Sequence, residues 1–305
     1  METNPDCLIV GAGMAGISAA LWCHRLGLRF AWVEAAGRPG GQLWRIHGGI
    51  PDYPGLAAPN GASFLASLQQ QLQALELAPA LSTAVVAHDS LTRTVKLSDG
   101  RFCQPRTILI ATGAEPRRLV IPGEETWRGR GVSDSATRDR AFLAGQVVAV
   151  VGGGDAALEN ALILSEVCPK VYLLHRGASF RAQPGFQQAV SQHPRIEVRF
   201  QTRVVAVQGN DSVQALEIET ADRAETLAVG AMVVKVGVAA ALGPWAGCLR
   251  CNADGRLWVD LAQRTSEEGI WAAGDVCNAE ASSLVASAGQ AMVAVKQIAL
   301  TLADA

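Results

Sequence analysis

Two glycine-rich turns carry the most specific chemistry in the sequence. Gly11-Ala12-Gly13-Met14-Ala15-Gly16 follows an apolar run, Cys7 to Val10, and opens a helical run to Leu26. In that setting the first glycine makes a tight turn, the second lets a pyrophosphate approach the backbone and the third lets helix close on strand. The phosphates then sit at the positive end of the helix, as in a dinucleotide fingerprint. Glu34 ends the next strand, Arg29 to Val33, where a carboxylate accepts hydrogen bonds from an adenosine ribose. Gly152-Gly153-Gly154-Asp155-Ala156-Ala157 repeats the pattern after Val147 to Val151, with Ala157 in place of the third glycine. No acid ends its second strand; His175-Arg176 stands there, with Arg181 beyond. A guanidinium pairs with a 2′-phosphate that a carboxylate would repel, so this unit favours NADP over NAD. The alternative is a pair of solvated surface arginines.

Two such units imply two dinucleotides, with a flavin dinucleotide in the first, a nicotinamide in the second and hydride passing between them. The elements that must position them form an α/β chain with two Rossmann-like domains. Leucines 65, 68, 72 and 75 predict a helix over 61–77, and Val85–Val86, Thr94–Leu97 and Arg101–Cys103, turning at Asp99-Gly100, predict antiparallel strands beside the parallel sheet. Thr107 to Ala111 reads as a buried strand. The second unit continues with a helix to about Val167 and a strand from Val171 to Leu174. Strand-like runs follow at Ile196–Phe200, Val204–Gln208, Val213–Glu219 and Met232–Val236. Gly243-Pro244 marks a boundary near 243. Beyond it Leu257–Val259 and Ile270–Ala273 read as strands and Leu284 to Leu302 as a helix with one apolar face.

At 305 residues the chain has length for about two domains. With 49% hydrophobic and 18% charged residues it has the composition of a folded soluble protein, not of a disordered or coiled-coil one. A net charge of −2 offers no broad attraction for nucleic acid or an anionic membrane. Seven scattered cysteines form no disulfide framework and fit a reducing compartment, the cytoplasm. Cys7 to Leu28 is apolar but holds His24 and Arg25 and follows an acidic start, so it reads as neither signal peptide nor anchor. The cysteines and histidines also lack the spacing of a metal site.

In order along the chain, Gly40-Gly41-Gln42-Leu43, Pro51-Asp52-Tyr53-Pro54-Gly55, Ala111-Thr112-Gly113, Ile121-Pro122-Gly123-Glu124 and Gly129-Arg130-Gly131-Val132-Ser133 precede the second turn. His175-Arg176 with Phe180-Arg181, and Ala272-Ala273-Gly274-Asp275, follow it. Together with the glycine turns these blocks resemble those of the low-molecular-weight thioredoxin reductases, flavoproteins that use FAD and NADPH. The resemblance implies an FAD domain from residues 1–117 and 244–305, an NAD(P)H domain from 118–243 inserted between them, a homodimer and rotation of one domain against the other. It further implies that Gly11, Gly13, Met14, Ala15, Gly16, Glu34, Gly41, Gln42, Leu43, Asp52, Val86, Ala111, Thr112, Gly113, Gly274, Asp275 and Val276 hold FAD. Asp275 would bond the ribityl chain. Gly152, Gly154, Asp155, Ala156, Ala157, Arg176 and Arg181 would hold NADPH, with NADH as the alternative donor.

The sequence departs from the family at its reactive centre. The redox motif Cys-Ala-Thr-Cys-Asp-Gly is replaced by Ser135-Ala136-Thr137-Arg138-Asp139-Arg140. A hydroxyl neither forms the mixed disulfide nor takes up two electrons, so these residues cannot reduce disulfides, and no catalytic residue is assigned. Arg138 and Arg140 beside Asp139 suggest a locally basic surface suited to an acidic partner. Cys248-Leu249-Arg250-Cys251 lies away from this position and reads as incidental. Gly177 replaces a family arginine, Ser282-Ser283 its Arg-Gln, and Val236 to Ala240 its Ile-Gly-x-x-Pro block. The first glycine turn carries Met14-Ala15, without the cysteine that bacillithiol-disulfide reductases have there. Thioredoxin-reductase-like ferredoxin and flavodoxin NADP reductases also lack the dithiol, but extend past the last helix with a segment that covers the flavin. The expected activity is an FAD-dependent NAD(P)H oxidoreductase that passes electrons to an external acceptor, ferredoxin or flavodoxin first. The alternatives are a reductase of quinones or oxygen with an accessible flavin, and a flavin-binding sensor that has lost turnover.

Overall fold

The computed structural model describes residues 4–221, 223–277 and 282–304. Its backbone forms two compact units, Met1–Glu115 with Ala239–Ala305, and Pro116–Val238.

In the first unit a parallel sheet runs in the order Ile270–Ala272, Thr107–Ile110, Cys7–Val10, Phe30–Val33. Cys7 pairs with Phe30 on one side and Thr107 on the other, so the glycine turn leaves the carboxyl end of a central strand. All four residues of Cys7–Val10 are buried, as expected of a parallel strand covered on both faces. Alternation divides them: Cys7 and Ile9 enter one core with the helices, while Leu8 and Val10 enter a second core with Val95, Leu97 and Trp245. Helix Met14–Arg25 packs on helix Leu284–Ala303, where Ser18 Oγ donates to the Ala288 carbonyl at 3.0 Å. The latter helix is long and apolar enough to cross a membrane by length and composition, yet it buries Ala291, Ala294, Val295 and Ile298 in the first core. Three antiparallel strands, Val85–Asp89, Thr94–Leu97 and Phe102–Cys103, form a separate small sheet.

The second unit repeats the scheme in a five-stranded parallel sheet ordered Ile196–Arg199, Lys170–Leu174, Val147–Gly152, Ala231–Lys235, Val132–Ser133. Val148 and Val150 face the core under helix Asp155–Ser165, whereas Ala149 and Val151 face the core that includes Val204, Leu216 and Ile218. An antiparallel sheet, Arg203–Gly209, Val213–Glu219 and Ala224–Ala228, contributes the latter residues.

Several elements differ from the sequence reading, among them short strands at Ala114–Pro116, Val132–Ser133 and Val238–Ala240 and a helix at Arg140–Leu143. Ala224–Ala228 is a strand, although its only buried side chain is Leu227, too little apolar pattern to signal one. Pro184–Ser191 is a helix started by Pro184 in its first turn. Leu257–Val259 is not a strand: Leu257 makes one isolated bridge to Cys251, and the Trp258 ring lies under the Arg250 guanidinium, 3.7 Å from the ring centroid.

Candidate functional site

The first glycine turn shows why its residue types are fixed. Gly11 has φ +108°, and a Cβ there would lie 2.4 Å from the Ala111 carbonyl oxygen; one on Gly16 would lie 1.9 Å from the Gly11 carbonyl oxygen. Both glycines are therefore demanded by the fold itself. Gly13 is different. Its φ is −76°, open to any residue, and no atom lies within 4 Å of the place a Cβ would take. It is the N-cap of helix Met14–Arg25 and supplies no side-chain cap, whereas Asn60 and Ser283 cap the helices after them with side-chain oxygens. The helix end thus keeps orphan amides and empty space in front of them.

Around this end stand groups suited to the rest of a dinucleotide. The Ala12 amide donates to Glu34 Oε2 at 2.6 Å and the Ala36 amide to Oε1 at 2.8 Å, so the carboxylate is held in place while each oxygen keeps a lone pair. Glu34 lines a cavity of about 530 Å³ together with Gly11, Val85, Thr112, Glu115 and Trp245. Thr112 Oγ1 is buried with no hydrogen-bond partner among the described residues, an arrangement that costs free energy. Gln42 Nε2 donates to Asp275 Oδ2 at 2.6 Å and lies 3.9 Å from a Cβ placed on Gly113. A Cβ on Gly41 would lie 3.2 Å from Gly13 Cα. Gly13, Gly41, Gln42, Gly113 and Asp275 therefore converge.

Two residues that sequence reasoning missed secure the Asp275 turn. Gln290 Oε1 accepts from the Gly274 amide at 2.9 Å, and Arg256 Nε donates to the Asp275 carbonyl at 2.9 Å. Neither belongs to a motif; both act through the backbone, which leaves no pattern to read.

Several expected flavin residues have other surroundings. Leu43 and Val276 are 1% and 0% exposed in the core, so their side chains hold the fold. Met14, Ala15 and Ala111 are also buried and present only main chain to the turn. The Val86 side chain is exposed, while Val85 beside it lines the cavity. Asp52 lies exposed in a loop and makes no hydrogen bond or ion pair among the described residues.

The second turn has the same construction. A Cβ on Gly152 would lie 2.2 Å from the Lys235 carbonyl oxygen and 2.8 Å from Ala157 Cβ, which explains glycine at one position and alanine at the other. Gly154 is the N-cap of helix Asp155–Ser165, without a side-chain cap and with nothing within 4 Å of a Cβ. The Arg181 amide donates to the Gly153 carbonyl at 2.8 Å, which pins that arginine beside the turn. The His175 ring lies so close over Gly153 that a Cβ there would be 2.3 Å from it. Burial holds the His175 pKa below the usual imidazole value, with Arg181 and Arg176 adding to the effect. Arg176 and Arg181 are exposed, and their guanidinium groups have no partner among the described residues. Asp155 is committed elsewhere: its oxygens accept from the Gln183 amide and Nε2 at 2.7 and 2.9 Å. It tethers the segment after Arg181, and Ala156 follows it in the first turn of the helix.

The segment in place of a dithiol is a closed polar knot. Arg138 donates to both oxygens of Asp139 at 2.9 and 2.7 Å and pairs with Asp134 Oδ1 at 2.7 Å. The Asp139 hydrogen bond, then Asp134, raise the Arg138 pKa further above its ordinary value. Ser133 Oγ donates to Asp139, Ser135 Oγ accepts from the Arg138 amide, and Asn160 Oδ1 accepts from the Ala136 amide. Arg140 pairs with Glu166 at 2.6 Å. The expected basic surface is therefore corrected: both arginines are neutralised by neighbouring carboxylates. All seven cysteines are free, and only Cys248 and Cys251 are exposed.

The family model of pyridine nucleotide-disulphide oxidoreductases matches residues 5–297. A thioredoxin reductase of Treponema pallidum is 35% identical over 281 residues, 90% of each chain. One of Helicobacter pylori is 34% identical over 282 residues, covering 89% of this chain and 90% of its own. The crystal structure of a Lactococcus lactis thioredoxin reductase superposes with a TM-score of 0.85 at 27% identity, over 99% of this chain and 100% of that one. The chain belongs to the pyridine nucleotide-disulphide oxidoreductases, within the low-molecular-weight thioredoxin reductase family.

Proposed function

We propose that the first unit holds FAD, that the second holds NADPH, and that electrons pass from NADPH through the flavin to an external acceptor without a dithiol at 135–138. The observation that carries this reading is the pair of uncapped glycine turns, each beside its own selectivity group: Glu34 at the first, and at the second Arg176 and Arg181, without partners among the described residues. Bound FAD would supply the two-electron chemistry that no side chain provides.

The residues of the chain bind and orient. Orphan amides at the Met14 helix end would meet the pyrophosphate and Glu34 the ribose hydroxyls. Asp275, fixed by Gln42 from the side and by Arg256 and Gln290 from behind, would accept from the ribityl chain. Arg176 and Arg181 would pair with the 2′-phosphate. Asp139 is not assigned a proton-transfer role, because Ser133 and Arg138 engage both its oxygens.

Ferredoxin or flavodoxin is the acceptor that resemblance puts first. Neutralisation of Arg138 and Arg140 removes the charge argument for an acidic protein partner at that surface and favours a small acceptor such as a quinone or oxygen. Resemblance also supports a homodimer, and seven free cysteines support a reducing, cytoplasmic setting. Steady-state NADPH oxidation with ferredoxin, flavodoxin, quinone and oxygen separates the acceptors. A flavin that NADPH fails to reduce in stopped flow contradicts the proposal and favours the sensor reading.

A further inference from the structure

Five of the seven thiols are sealed in the fold: Cys7 and Cys23 at 0% exposure, Cys103 and Cys168 at 1%, Cys277 at 7%. Burial also pushes the Cys277 thiol up to about 12, so it is inert as a nucleophile. Cys248 and Cys251 are exposed; Cys248 ends the turn that follows Trp245, and Cys251 lies three residues on, bridged to Leu257. The segment that carries both is firmly built. Cys248 and Leu249 amides both donate to the Trp245 carbonyl, at 3.1 and 3.3 Å. Trp245 and Leu249 are buried at 0% and 5% exposure and anchor its inner side. On the outer side the Arg250 amide donates to Ser266 Oγ at 2.9 Å, and Cys251 bridges to Leu257. With the apolar members turned inward, both thiols are left exposed on one anchored segment, Cys248 Sγ donating to the Pro244 carbonyl at 3.8 Å and Cys251 Sγ to the Leu249 carbonyl at 3.7 Å.

We infer that Cys248 and Cys251 form a thiol–disulfide exchange site for low-molecular-weight disulfides. The thiolate of one cysteine attacks a small disulfide RSSR, forming a mixed disulfide and releasing RS⁻. The second thiolate then attacks the protein sulfur of that mixed disulfide, displacing a second RS⁻ and closing the Cys248–Cys251 bond. Two thiols lose two protons and two electrons, and the small disulfide takes them up to leave as two RSH. The two-residue spacing gives the second thiol an effective concentration in the millimolar range or above, so the mixed disulfide is resolved internally. Arg250, which lies between them in sequence, stacks its guanidinium on the Trp258 ring, 3.7 Å from the centroid. Nothing in this step depends on bound FAD or NADPH.

The test uses purified, flavin-loaded protein, oxidised glutathione as the probe, acid quenching and intact mass under non-reducing conditions. Wild type is expected to lose two hydrogens and keep no adduct. Cys248→Ser and Cys251→Ser are each expected to retain one glutathionyl group, and the double variant none. Both positions are exposed, and circular dichroism of each variant checks that the fold is unchanged. A glutathionyl group retained by wild type, single variants that behave as wild type does, or absence of reaction in every form would overturn the proposal.

Discussion

Gly13→Ala and Gly16→Ala are the same chemical change with opposite expected consequences. At Gly13, φ is −76° and the Cβ position is free of protein atoms within 4 Å. Alanine there restrains the unfolded chain, worth about 0.4–1 kcal/mol, but gives up an advantage of glycine at an N-cap that is of similar size, so the apoprotein should melt close to wild type. The new methyl would, however, fill the space in front of the helix amides. Losing one charge-assisted hydrogen bond to the pyrophosphate costs about 1.5–3 kcal/mol, an FAD affinity roughly ten- to a hundredfold weaker. At Gly16 the Cβ would sit 1.9 Å from the Gly11 carbonyl oxygen, a backbone atom with no room to move. Overpacking of that kind costs about 1–3 kcal/mol or more, so Gly16→Ala should lower the apoprotein melting temperature. Thermal melts of flavin-stripped protein and FAD titration by fluorescence quenching separate the two effects. Wild-type FAD affinity in Gly13→Ala, or a melting temperature lowered as far as in Gly16→Ala, would refute the reasoning.

Arg176→Ala should weaken NADPH binding about ten- to a hundredfold, the loss of one charged hydrogen bond of about 1.5–3 kcal/mol, with NADH binding unchanged; equal effects on both nucleotides count against the 2′-phosphate contact. His175 is held neutral, its pKa below the usual imidazole value through burial and the flanking arginines. Its contribution to stability is present above pH about 6.5 and is lost as pH falls from there through the lower folded value. Wild type and His175→Gln should therefore diverge in melting temperature only on the acid side, and parallel curves would contradict this. Arg138→Ala leaves Asp134 and Asp139 without their cation, at 17% and 27% side-chain exposure. A stability loss of about 1 kcal/mol with unchanged flavin reduction by NADPH is expected, and a collapse of flavin reduction would restore an active role to the knot.

The glycine turns and their strand–helix settings were legible because their requirements are local: a positive φ, a close backbone approach and an apolar alternation that leaves its imprint residue by residue. Glu34 was legible for the same reason, standing at a fixed distance along one βαβ unit. Arg256 and Gln290 were not, because each reaches the Asp275 turn from a distant segment through a backbone contact. Val85 and Val86 show a finer limit. Both are valines in one strand, and the local pairing decides which faces inward: Val85 opposes Leu97, and Val86 falls in the register shift before Ala87 opposes Lys96. The charge at 138–140 was misread because two arginines in sequence reveal nothing of the carboxylates that folding brings to them. Asp139 is adjacent in sequence, but Glu166 comes from the far end of a helix.

The claim that this chain works without a reactive-centre dithiol is tested most directly by anaerobic titration of the flavin with NADPH under argon. Flavin alone accepts two electrons, and flavin coupled to a dithiol accepts four. With Ser135 and Arg138 at the position of the redox pair, the absorbance should bleach fully at a single equivalent of NADPH per flavin. Bleaching that requires two equivalents would show a second two-electron centre in communication with the flavin and contradict the account, as would a flavin that stays oxidised.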